Sequence, residues 1–141
     1  MNTGSFLDDV AARTAAPGGG AVAAVTAASA AALVAMAARF SDADPTAADE
    51  LRARLEQLAD EDAAAYTAVL ASRGDARRAA MRHATEVPRQ IAAAAGEVAS
   101  LARELAASGN PNLHGDARVA ELIAAAAGEA AQVLVRLNTA T

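Results

Sequence analysis

Residues 16–40 read APGGGAVAAVTAASAAALVAMAARF. Proline and three glycines break any preceding helix. The next 21 residues, Gly20 to Phe40, then hold eleven alanines and no breaker. Alanine is the best helix former, and this stretch is apolar almost all round, the pattern of a helix buried in the middle of a protein. From Ala15 to Ala38 no residue is charged, a span long enough to cross a bilayer. Most of it is Ala, Gly, Ser or Thr, with Val22, Val25, Leu33, Val34 and Met36 the strongly apolar exceptions. Arg13 and Arg39 flank it evenly, and Asp8 and Asp9 stand where a signal peptide carries positive charge. The reading is therefore a buried core helix, with no membrane as partner.

The rest of the chain agrees with that centre. Forty-six of 141 residues are alanine, and the aromatic residues are Phe6, Phe40 and Tyr66 alone. A β-sandwich or barrel needs many more aromatic and β-branched residues in alternation. The length suits one domain over residues 1–141. Twelve arginines, no lysine and seventeen carboxylates give a net charge of −5, which does not draw a chain to nucleic acid. Without cysteine there is no disulfide framework, thiolate site or cysteine nucleophile, and a cytoplasmic location is expected.

Turn signals divide the chain into five helices. A short first helix begins around Ser5 and ends before Ala16. The second runs from about Gly20 to Phe40. Asp44-Pro45 starts a third that reaches about Arg73, with Gly74 as its C′ residue. Asp75 caps a fourth reaching about Ser108, in which Pro88 predicts a kink or break over 84–87. The fifth spans about Asp116 to Asn138. Short connections between long helices imply an all-α antiparallel bundle. Its alanine-faced helices provide little core per chain, so a homodimer is expected.

Leu51, Leu55, Leu58, Ala65 and Val69 form the apolar stripe of the third helix, and Asp62 falls on it. A carboxylate there must be paired, hydrogen-bonded or protonated. It reads either as a reactive acid or as a plain helix–helix hydrogen bond or ion pair. In the fifth helix Val119, Leu122, Ile123, Ala126, Ala130, Val133 and Leu137 predict the core face, with Asp116 at its start as a site residue or an N-cap. His114 lies in the preceding loop, a place for an acid–base group or simply an exposed side chain. His83, near the Val87–Ile91 stripe, reads as buried and neutral. The histidines lack metal-ligand spacing, so no metal is expected. Pro17, Gly18, Gly19 and Gly20 form a turn that presents backbone N–H groups at a helix start. Such a turn suits an anion or carbonyl, or a tight helix–helix connection.

Together these segments resemble the cyclodeaminase/cyclohydrolase family, which includes formiminotetrahydrofolate cyclodeaminase and methenyltetrahydrofolate cyclohydrolase. The matching pieces are Phe6-Leu7-Asp8, Ala16-Pro17-Gly18-Gly19-Gly20 with Ala21 to Ala24, Asp60-Glu61-Asp62-Ala63 with Tyr66, Ala84-Thr85-Glu86-Val87-Pro88, and Gly109-Asn110-Pro111-Asn112 before Asp116. They keep the family's order over nearly the whole chain. The chain is shorter than usual, and the family's NVxIN pattern is aligned with Gln132 to Arg136, where neither asparagine stands.

The resemblance implies a homodimeric helical bundle acting on the one-carbon bridge of tetrahydrofolate, with no cofactor. The reaction is closure of a formimino group to an amidinium with loss of ammonia, or hydration of that amidinium, so a lyase or a hydrolase. Asp62 and Asp116 would be catalytic, brought towards one cavity where one pKa rises, with Asp62 the charge stabiliser and Asp116 the acid–base group. The turn glycines with Pro17, and Glu86, Asn110, Asn112 and His114, would contact substrate. Two alternatives stay open. One is an enzyme of specialised metabolism that keeps this fold for another cyclisation or imine/amidine step; the other is a non-catalytic dimeric binding bundle.

Overall fold

The computed structural model describes residues 2–140. Among the described residues there are five helices, α1 (Thr3–Ala11), α2 (Gly19–Phe40), α3 (Thr46–Ala71), α4 (Gly74–Ser108) and α5 (His114–Thr139), with one 3₁₀ turn over Pro111–Leu113. No strand occurs among the described residues. The expected all-α bundle is the observed fold.

α2 packs against α3, α4 and α5 at once and is the axis of the bundle. Twelve of its residues are buried, ten of them alanine. It has the length and composition of a membrane span, yet 61% of its most apolar window is covered by the other helices. Because its surface is nearly all methyl groups, the neighbouring helices lie close against it. The larger side chains of the core, Leu55 and Leu58 on α3 and Val87, Ile91 and Val98 on α4, fill the space between. α1 stands outside this arrangement, since none of its residues is buried and only Phe6 leans on the core.

The helix boundaries differ from the expected ones where capping chemistry decides. α1 begins earlier, at Thr3, because the Asn2 side chain accepts from the Ser5 N–H at 3.1 Å. Pro45 is the N-cap of α3 rather than its first residue, and Asp44 accepts from the backbone N–H of Thr46 at 2.9 Å. Gly74 does adopt the left-handed conformation, with φ of +58°, but it opens α4 instead of closing α3. Asp75 lies in the first turn of α4 and does not cap it; Arg73 holds the cap position.

Two larger expectations are corrected. Of the kink or break that Pro88 predicts, the break is absent, since α4 continues through the proline. Proline lacks the N–H that would bond to the Ala84 carbonyl, and the Asn138 amide of α5 donates to that carbonyl instead, at 3.3 Å. The missing bond is replaced from outside the helix, so α4 need not break. α5 is turned over relative to its predicted face. Its buried residues are Ala117, Ala120, Ala124, Ala127, Ala131 and Val135. Val119, Leu122, Val133 and Leu137, read as core, are exposed by 44–61%. Small residues face inward because α2 and α4 approach too closely for leucine; at Gly128 an added Cβ would already touch Ala95 and the Ala92 carbonyl. Substituting a large residue on this inner face tests the packing. Ala124→Leu should cost about 1–3 kcal/mol of stability, whereas Ala125→Leu, on the exposed face, should stay within about 0.5 kcal/mol. Urea unfolding of both variants decides it, and equal stabilities would contradict this orientation of α5.

Candidate active site

The middle of α3 meets the first turn of α2, and there Asp62 meets Gly20. A Cβ on Gly20 would lie 2.3 Å from one Asp62 oxygen and 2.4 Å from the other, so only glycine permits this approach. The Asp62 carboxyl thereby reaches the backbone at the positive end of α2 and accepts a hydrogen bond from the Ala21 N–H. Burial pushes the Asp62 carboxyl above the usual carboxylate range, and the Ala21 bond offsets only part of that rise. No arginine pairs with it among the described residues. The helix–helix hydrogen bond considered from sequence is present, and burial raises the pKa of the carboxyl that accepts it.

Asp62 is part of the wall of a cavity of about 210 Å³. Gly18, Gly19 and Gly20 form one side, with Ala15 and Ala16 beside them. Tyr66, one turn along α3 from Asp62, contributes a phenol, and Met81, Ala84 and Pro88 of α4 add an apolar side. Leu134 and Asn138 of α5 complete it. The Asn138 amide is oriented by its bond to the carbonyl freed at Ala84. A half-buried carboxyl of raised pKa, a phenol and an oriented amide therefore line one partly open cavity. Such a set can exchange a proton with a bound group and hydrogen-bond its nitrogens.

The residues selected from sequence divide between the two ends of the bundle. Asp62 and the three glycines share the cavity, and Pro17 sits within the same turn, joined to Ala16 by a cis bond. Gly18 has open space around it, and Gly19 meets only a Leu134 methyl at 4.0 Å; the close approach belongs to Gly20 alone. Glu86 lies outside on α4 and pairs with Arg89 at 3.5 Å. Asp116, His114, Asn110 and Asn112 are at the opposite end. Asn138 and Asp116 are 22 residues apart on α5, about 33 Å at the helical rise. One chain therefore does not pair Asp62 with Asp116.

Each residue at that far end has a visible local setting. The Asn110 side chain donates to the Phe40 carbonyl and accepts from the Asn112 N–H, fastening the turn before α5 to the end of α2. His114 is the first residue of α5 and not a loop residue; its Nδ1 lies 2.9 Å from the Ala106 carbonyl. Asp116 is exposed in the first turn of α5 and does not cap it, since Leu113 holds that position. His83 is exposed on α4, not buried. Among the described residues no three His, Cys, Asp or Glu side chains come together at metal-binding distance.

Sequence reasoning missed Tyr66 and Asn138 as site residues. Tyr66 was signalled by its place four residues after Asp62, one turn along the same face. Asn138 was hidden by the alignment of the NVxIN pattern. Placed two residues later it reads Leu134-Val135-Arg136-Leu137-Asn138, with the second asparagine kept and leucine in place of the first. Both ends of that segment, Leu134 and Asn138, line the cavity.

The fold has a counterpart among known proteins. No curated protein sequence matches the chain. The crystal structure of formiminotetrahydrofolate cyclodeaminase from Thermotoga maritima is similar at a TM-score of 0.94 and 29% identity, over 99% of this chain and 79% of that one. The family model for formiminotransferase-cyclodeaminase matches residues 2–141, so the chain belongs to the formiminotransferase-cyclodeaminase family.

Proposed function

We propose that the chain is a homodimeric cytoplasmic enzyme that acts on the one-carbon bridge of a tetrahydrofolate derivative, as a cyclodeaminase or cyclohydrolase. The observation that carries this reading is the Asp62 carboxyl, held against Gly20 in the wall of a partly open cavity and raised in pKa by burial. Ring closure of a formimino group passes through a carbon bonded to two ring nitrogens and a departing amine. Starting from the protonated, cationic formimino group, a carboxylate at that carbon takes the proton of the attacking nitrogen and delivers it to the amine, which leaves as ammonia while the positive charge stays on the new amidinium. The same carboxylate then lies beside the cationic amidinium, whose charge favours its ionised form. Hydration of the amidinium uses the same atoms, with water as the attacking group. The Tyr66 side chain lines the same cavity and supplies a hydroxyl beside the ring system.

Asp62 serves both as proton carrier and as charge partner, because Asp116 does not reach the cavity within one chain. A second reading, another amidine or imine substrate on the same fold, is favoured by Leu134, an apolar wall where the family pattern has asparagine. The two separate in one assay series. Purified protein should release ammonia from formiminotetrahydrofolate or accelerate loss of the methenyl ultraviolet absorbance. Neither event, with no binding by calorimetry, would reject the folate reading.

On whichever of these substrates turns over, Asp62→Asn should lower turnover by about a hundredfold or more, with the helical circular dichroism spectrum retained. Near-normal turnover would remove Asp62 from the chemistry.

Gly20→Ala should act through the same carboxyl, since the new methyl takes its place. Its turnover should fall towards that of Asp62→Asn, and the double variant should be little worse than either single one. Independent, multiplying losses would show that the Gly20 contact serves something other than Asp62.

The dimer is supported by the outer face of α5, where Val119, Leu122, Val133 and Leu137 are exposed, with Ala126 and Ala130 between them. Light scattering should give twice the 14.0 kDa chain mass, and Leu122→Glu should shift the protein to the monomer. A monomeric parent at micromolar concentration would overturn this assignment.

A further inference from the structure

The wall of the Asp62 cavity carries an acid and no base. Asp62 and the Tyr66 phenol are its titratable groups, and no arginine or histidine lines it among the described residues. The positive end of α2 is already taken by the Asp62 carboxyl, which accepts from the Ala21 N–H. An anion entering here would meet that carboxyl and find no cation, whereas a cation would meet it without a competitor. Most of the remaining wall is apolar, with Val69 of α3, Met81, Ala84 and Pro88 of α4, and Leu134 of α5. Leu134 lies against the turn before α2, since a Cβ on Gly19 would touch its Cδ1 at 4.0 Å. Leucine stands there in place of the first asparagine of the NVxIN pattern, so a hydrogen-bonding amide gives way to an apolar side chain.

We infer that this cavity takes a compact amidinium with an apolar body, and that Leu134 is the specificity-determining residue that selects the body. The inference deepens the proposed reaction and rests on it, because an amidinium is the cation that reaction forms. An amidinium is planar and offers two parallel N–H groups, a fork that fits the two oxygens of a carboxylate. The cavity volume of about 210 Å³ is below the roughly 300–1,000 Å³ of sites that enclose a drug-sized ligand. It holds one ring and the amidinium that the ring bears, and any further part of a ligand leaves through the open side. Against Leu134 and Met81 an apolar ring gains contact and leaves no polar group unpaired. An asparagine at position 134 would reverse that choice, since an apolar ring would leave its amide without a partner. Leu134 thus separates ligands by the polarity of what lies next to the amidinium, while Asp62 answers the charge they share.

Benzamidine, a phenyl ring carrying one amidinium, tests this by calorimetry on the full chain without any folate. The parent protein should bind it about tenfold or more tighter than acetamidine, which has the same cation without the ring. Benzoate, with the ring and the opposite charge, should not bind. Asp62→Asn should weaken benzamidine about tenfold or more. Leu134→Asn should abolish the preference for benzamidine over acetamidine, and Leu134→Met, which keeps an apolar wall, should retain it. No binding of millimolar benzamidine by the parent, equal affinity for the two amidines, or binding of benzoate as tight as benzamidine would overturn the inference. So would a preference that survives Leu134→Asn or is lost in Leu134→Met. Turnover of the folate substrates is scored separately. Folate turnover without benzamidine binding rejects the inference and keeps the proposed reaction; benzamidine binding that depends on Asp62 and Leu134, without folate turnover, keeps the inference and rejects the folate reading.

Discussion

The close approach of α2 to its neighbours is the constraint on which the rest of this structure depends. Alanine methyl groups cover most of the buried face of α2, and at Gly20 even the methyl is gone. The Asp62 carboxyl of α3 occupies that space and reaches the Ala21 N–H. Were the two helices separated by ordinary leucine packing, the carboxyl would be left in solvent with an ordinary pKa. Tight small-residue packing thus does two jobs: it holds the bundle together, and it carries an acid into a partly desolvated position at the end of a helix.

A second arrangement supports the same cavity from the other side. Pro88 costs α4 one backbone hydrogen bond, and its free acceptor at Ala84 points to Asn138 of α5. Filling that vacancy keeps α4 continuous and sets the orientation of an amide at the cavity wall. The proline that would break an isolated helix becomes a means of registering α5 against α4.

The inward face of α5 follows from the same spacing. Its alanines fit against α2 and α4, and its valines and leucines are left on the outside. This exposed apolar strip is the surface that the proposed dimer would bury.

Sequence alone determined the helical class, the five segments and the central place of α2, because alanine content, turn residues and an uninterrupted apolar run are local properties. It also selected Asp62, since a carboxylate on the stripe of Leu55, Leu58 and Val69 must be answered by some partner. The partner itself, the Gly20 gap and the Ala21 N–H, comes from another helix and was settled only by tertiary packing. The face of α5 was misjudged for the same kind of reason. Periodicity shows that one side carries bulky residues, but whether that side points in depends on how near the neighbours lie. Asp116, Asn110, Asn112 and His114 belong in sequence with the rest of the family pattern, yet the direction of α5 places them about 33 Å along the helix from Asn138. Motif order along a chain carries no information about which end of a bundle each motif occupies; the antiparallel course of long helices decides that.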